Sequence, residues 1–346
     1  MVGGAISRRV PFLLAVAAGL LFFGGTAVAQ GVVVKMATLL PQGSAWHTAL
    51  QEMASQWQQA SAGRVTVRIY PGGVAGDDGD VVRKMRLGTL DAGLLTTAGL
   101  GDIDRSIYAL ELPMGYASYE ELDFVLDKME PVLEKQYADK GFVLLGWADA
   151  GWVRFFSKSP VRTPDDLKGL KLFTWAGDDP AVELWKAAGF HPVPLPSTEI
   201  STALQTGLVS ALPTTPQAAL LLQWYTHAKY MCEARWAVLL AGLVITKATW
   251  DKVPADARPA LLKSAREAGR TLGSLTRGAE AGNIDAMVKH GLTVVPVDAA
   301  ALEAWHRAAE AAYPKLRGDF VPAPAFDEAL KVRDEYRKSQ AVKAAS

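Results

Sequence analysis

Segments with strand-like patterning alternate with segments of helical spacing along this chain, and that order restricts the fold more than any single motif does. Residues 32–37 form an apolar run suited to a buried strand. From Ser44 to Ala60, Trp46, Leu50, Met53 and Trp57 fall on one face at helical spacing, and Gly63 ends the pattern. Residues 65–70 alternate as a second strand. A glycine-rich turn over 71–76, a helix over 77–87 and a third strand over 90–95 follow. Ser118 and Glu121 make a capping box that opens a helix to about Tyr137. Residues 142–147 and 152–157 read as two adjacent strands around Gly151. A helical pattern of unusual length runs from Pro254 to His290. Such alternation implies α/β architecture.

Residues 160–175 carry the sharpest local signal. Pro160, Pro164 and the Asp165–Asp166 pair suit a turn and a short helical cap, which Lys168 and Gly169 break. Leu170, Leu172 and Thr174 then alternate with Lys171, Phe173 and Trp175 in a short strand. Open α/β sheets bind ligands in the crevice at the ends of such strands. Phe173 and Trp175 are therefore either cavity walls or plain core.

The first residues have the build of an export leader: Arg8–Arg9, an apolar stretch over 10–21, and the small-residue exit Ala27-Val28-Ala29. Residues 1–29 are expected to be a cleaved signal peptide, with a membrane anchor as the alternative. Export by the general or the twin-arginine route stays open. Beyond it no apolar run is long enough to span a membrane, so the mature chain is not expected to be membrane-embedded. Without the leader the net charge is about −2, which argues against nucleic acid as a partner. The single Cys232 excludes an internal disulfide. No nucleophile elbow, zinc-binding pair, Walker loop or dinucleotide fingerprint occurs, and the five histidines lack metal spacing. The chain reads as a binder and not an enzyme, with no cofactor and no metal.

Several motifs, weak singly but in consistent order, resemble the DctP-type solute-binding proteins that serve TRAP transporters. They are Tyr70-Pro71-Gly72-Gly73-Val74-Ala75-Gly76, Gly88-Thr89-Leu90-Asp91, the 160–175 stretch, Ala203-Leu204-Gln205-Thr206-Gly207-Leu208-Val209, and Ala248-Thr249-Trp250-Asp251-Lys252-Val253-Pro254. The resemblance covers nearly all the chain after residue 29. It implies a two-lobed periplasmic-binding-protein-like fold with a ligand cleft between the lobes and a long helix across both. Lobe I is expected from residues 30–150 plus about 240–285, and lobe II from 151–239 plus about 286–325. Residues 326–346 are left as a C-terminal tail. The implied partners are a small-molecule ligand and TRAP membrane subunits that dock transiently.

In that family an arginine ends the strand after the 160–168 motif and clamps a ligand carboxylate; here Phe173 holds that slot. The positions that the resemblance assigns to the cleft are Leu39, Trp46, Thr96, Trp152, Arg154, Phe173, Trp175, Thr214 and Thr215. Trp147 is a further possible wall. Strand alternation can turn Arg154 away from the cleft. A small anion buried without a cation costs several kcal/mol, whereas an apolar ligand gains from aromatic walls. The expected ligand is therefore apolar or atypical. One alternative is a periplasmic lipid or hydrophobic-ligand carrier with a non-TRAP partner. The other is an ordinary organic-acid receptor that uses Arg154.

Overall fold

The computed structural model describes residues 1–4 and 31–345. The expected leader beyond residue 4 lies outside the described residues. Among the described residues no helix is long and apolar enough to cross a membrane.

Among the described residues ten strands form the sheet: β1 Val32–Thr38, β2 Val65–Tyr70, β3 Ala92–Thr96, β4 Phe142–Ser157, β5 Lys171–Trp175, β6 His191–Leu195, β7 Ala211–Thr214, β8 Tyr230–Cys232, β9 Ala237–Thr246 and β10 Thr293–Val295. The order is β2-β1-β3-β9-β4-β7-β5-β6, with β8 joining β4 to β10. β1 runs parallel to β2 and β3, and β5 runs parallel to β6 and β7. β9 is antiparallel to both β3 and β4. The fold is the two-lobed α/β arrangement: one half-sheet around β1, one around β5, and the β4–β9 pair passing between them.

Residues 142–157 were expected as two strands around Gly151. They form one strand, β4. Its register against β9 shifts between Leu144 and Gly146 and again between Asp149 and Gly151. Gly151 takes φ 99°, a left-handed value open to glycine. The glycine therefore makes a bulge, which bends the strand, in place of a turn.

Local capping rules place the helices. Ser44 caps the helix Ala45–Ala60 by accepting from His47 N–H at 3.1 Å. Ser118 accepts from Glu121 N–H at 3.2 Å, and the Glu121 carboxylate reaches back to Ala117 N–H, which opens the helix Tyr119–Asp139. Asp166 accepts from Thr163 N–H at 2.8 Å ahead of the short helix Pro164–Lys168.

The 32-residue helix Arg258–Lys289 lies directly on β4. A Cβ on Gly269 would sit 2.1 Å from the Trp147 carbonyl oxygen, and one on Gly273 would sit 2.9 Å from Asp149 Oδ2. The last helix, Ala323–Ala345, takes up most of the segment expected as a tail. Phe326, Ala329 and Val332 on it are buried against the helix Tyr119–Asp139 and its neighbours.

Gly269→Ala should lower stability by about 1–3 kcal/mol, because the added methyl has no space against the β4 backbone. Gly278, on the same helix, has open space around it. Gly278→Ala should instead raise stability by up to about 1 kcal/mol through helix propensity. Denaturant unfolding of the two variants checks the contrast.

Candidate functional site

A cavity of about 470 Å³ opens between the half-sheets, within the roughly 300–1,000 Å³ of small-molecule sites. Leu39 and Leu40, Trp46, and Leu94 to Ala98 line one side. Phe173, Trp175, Trp185, Phe190 and Trp224 line the other. Ala150, Val153, Leu239 and Ala241 of the β4–β9 pair form the base, and Leu316, Phe320 and Val321 close one end. The half-sheets also meet through polar contacts beside the cavity. Asp77 accepts from Ser197 N–H at 2.9 Å and from its hydroxyl at 2.8 Å. Asp178 pairs with Arg105 at 3.2 Å and accepts from the Tyr108 hydroxyl at 3.1 Å.

Seven of the nine residues expected in the cleft line this cavity: Leu39, Trp46, Thr96, Phe173, Trp175, Thr214 and Thr215. Phe173 and Trp175 meet edge-on, with ring centroids 5.6 Å apart. Phe173 is 2 % exposed, so it is cavity wall and core together. Thr96 is committed: its N–H and hydroxyl donate to Asp78 Oδ2 at 2.9 and 2.6 Å.

Trp152 and Arg154 lie elsewhere, and this corrects both expectations. Side chains alternate along β4, so Val153 faces the cavity while its neighbours turn to the opposite side. Trp152 packs on Tyr119, with centroids 5.3 Å apart. Arg154 is paired with Glu280 of the long helix at 2.9 Å and also donates to the Glu233 carbonyl oxygen. Trp147 is likewise absent from the cavity lining.

Among the described residues no lysine, arginine or histidine lines the cavity. Its two acids are Glu111 and Asp178, and the second is matched by Arg105. Burial pushes the Glu111 carboxyl up to about 7, against a hydrogen bond from Thr97. Burial also pushes Asp78, behind Thr96, up to about 7, with its Thr96 bonds opposing. Sequence reasoning missed Glu111, Trp185, Trp224, Trp236 and Phe320. Each reaches the cavity through tertiary placement, and Phe320 does so from the connection between the last two helices. Among the described residues no cluster of His, Cys, Asp and Glu could hold a metal ion.

Comparison with known proteins gives a consistent match. The model of the DctP family, bacterial extracellular solute-binding protein family 7, matches residues 36–319. The chain is 25% identical over 291 residues to the 2,3-diketo-L-gulonate-binding periplasmic protein YiaO of Escherichia coli, spanning 83% of this chain and 88% of that protein. It is 26% identical over 281 residues to a solute-binding protein of Roseobacter denitrificans, spanning 80% and 86%. Among solved structures, a TRAP periplasmic solute binding protein from Xanthobacter autotrophicus with bound beta-D-galacturonate superposes with a TM-score of 0.80 at 20% identity, covering 87% of this chain and 99% of that one. One from Ralstonia eutropha with bound (S)-2-acetolactate gives 0.81 at 22% identity, covering 88% and 99%. These structural likenesses establish the fold.

Two outcomes follow from the geometry. Arg154→Ala should cost about 1–3 kcal/mol, because it strands the charge of the partly buried Glu280; a melting curve reads this. The second concerns pH. A carboxyl raised to about 7 in the folded state binds protons that the unfolded chain, near the ordinary 3.8, has already released. That term of stability is full below about pH 4 and is lost as pH rises through about 7. Asp78→Asn should flatten the fall in melting temperature across that window, and a thermal pH series measures it.

Proposed function

The chain belongs to the DctP family of bacterial extracellular solute-binding proteins, and on that premise we propose that it captures an apolar or weakly polar solute outside the cytoplasm. It is a small-molecule receptor by family and not an enzyme. In this reading the ligand is enclosed between a lobe of residues 30–150 plus about 240–285 and a lobe of 151–239 plus about 286–325. A cleaved leader exports the chain to the periplasm, and the loaded receptor hands its ligand to TRAP membrane subunits. The observation that carries the ligand assignment is a cavity walled by aromatic and aliphatic side chains with no cationic one, and with Phe173 where the family's clamp is expected.

A uronate or other small acid in this cavity would leave water for a site without a counter-charge, at a cost of several kcal/mol. An apolar body would gain about 25 cal/mol for each Å² it buries. The competing reading is an ordinary carboxylate receptor, supported by the galacturonate and acetolactate held by the structures of similar fold. It no longer has Arg154 to draw on, since that guanidinium is engaged by Glu280.

A thermal-shift screen separates the two. At about 100 times its dissociation constant a true ligand stabilises by roughly 2.7 kcal/mol. Apolar and neutral compounds should raise the melting temperature, while uronates, dicarboxylates and 2-oxo acids should not. Phe173→Ala should weaken an apolar hit by about 1–3 kcal/mol through lost contact, and Phe173→Arg should weaken it through an unpaired charge. A strong shift with a uronate that persists in Phe173→Ala would overturn the apolar reading.

A further inference from the structure

The solute's polar end can be deduced from the charge balance of the cavity, and this step rests on the receptor reading above. Glu111 follows the turn Arg105–Leu110 and lines the cavity. One of its oxygens, Oε2, is shut off from solvent and has no donor. The other lining acid, Asp178, has both Arg105 and the Tyr108 hydroxyl. Among the described residues, burial and the Thr97 hydrogen bond act on Glu111, and no cationic side chain shares the cavity lining with it. Gln217, also in the lining, holds a second buried acceptor without a donor, Oε1. A buried carboxyl without a counter-charge holds its proton and stays neutral. A cationic ligand group would supply the counter-charge that lets it ionise.

We propose that Glu111 anchors a cationic amine carried on an otherwise apolar ligand. An ammonium brings three N–H donors and the charge that the site lacks, and aromatic faces such as those of Trp46 and Phe173 tolerate a cation better than aliphatic walls do. A ligand carboxylate would set a second negative charge in the same enclosure. A neutral alcohol brings one donor and no charge, so it gains from the walls but not from the anchor.

Calorimetric titration of the whole mature protein with phenylbutylamine, phenylbutanol and phenylbutanoate tests this, because the three share one apolar body. The amine should bind at least about tenfold tighter than the alcohol, with the carboxylate weakest. Amine affinity should rise from about pH 6 to about pH 8, since Glu111 must give up its proton when the ammonium arrives. Glu111→Gln should abolish that slope and lose about tenfold for the amine, so that the preference for amine over alcohol disappears. Glu111→Asp, which keeps the charge, should retain the preference and the slope. If Glu111→Gln does not fold, the parent's own slope and its preference for amine over alcohol decide the matter. Equal binding of amine and alcohol, or a slope that survives in Glu111→Gln, overturns the role of Glu111 and leaves the apolar receptor standing. Binding of the carboxylate alone overturns both.

Discussion

The bare backbone contact between the long helix and β4 sets the rest of the architecture. Gly269 lets the helix Arg258–Lys289 lie against the Trp147 backbone with no side chain between, and Gly273 leaves room for the Asp149 carboxylate. That approach fixes the helix across the strand that passes from one half-sheet to the other. It also decides which face of β4 is left for a ligand. Residues on the helix side, Trp152 and Arg154 among them, are consumed by packing and ion pairing. Residues on the other side, such as Val153, become the floor of the cavity.

Charge follows the same division. On the helix side, Arg277 bridges Asp123 at 2.7 Å and Asp149 at 2.9 Å, and Arg154 meets Glu280. The Arg154–Glu280 pair is shielded from water on both sides, so each of its charges needs the other, whereas Asp123 is nearly half exposed. The cavity side is left with threonines, aromatics and one unbalanced acid. Phe173 lines the cavity, while Arg154 is engaged by Glu280 away from it.

Much of the scaffold was legible in the sequence because its signals are local. Ser44, Ser118 and Thr163 mark helix starts through bonds made within three or four residues. β2 matches its alternating run over 65–70. The cavity was legible where strand ends and their following loops carried it: Leu39, Thr96, Phe173, Trp175 and Thr214. Two kinds of information were missing. Around Gly151 a glycine between two apolar runs serves a turn or a bulge equally well, and only the pairing with β9 selects the bulge. At 152–154 a single step of alternation exchanges wall for core, which a motif comparison does not resolve. Glu111 and Phe320 had no local signal, since distant chain segments bring them to the cavity.

The contacts beside the cavity bear on how a ligand could control the molecule. Asp77 with Ser197, and Asp178 with Arg105 and Tyr108, join the two halves through a few hydrogen bonds. Each such bond contributes only about 1 kcal/mol net, since the same groups bind water when apart. Contacts of that size orient the halves without locking them. An apolar ligand contributes on a different scale, about 2.5 kcal/mol for each 100 Å² it withdraws from water. Only a body that touches both half-sheets, Trp46 and Leu94 on one side and Phe173 and Trp224 on the other, collects that energy in full. Its affinity is then greater for the closed arrangement than for a separated one, which is the condition for a ligand to shift such an equilibrium. On the proposed reading the sparse polar contacts and the aromatic walls suit each other: weak contacts would permit release, and an apolar ligand would supply the difference that makes closure favourable.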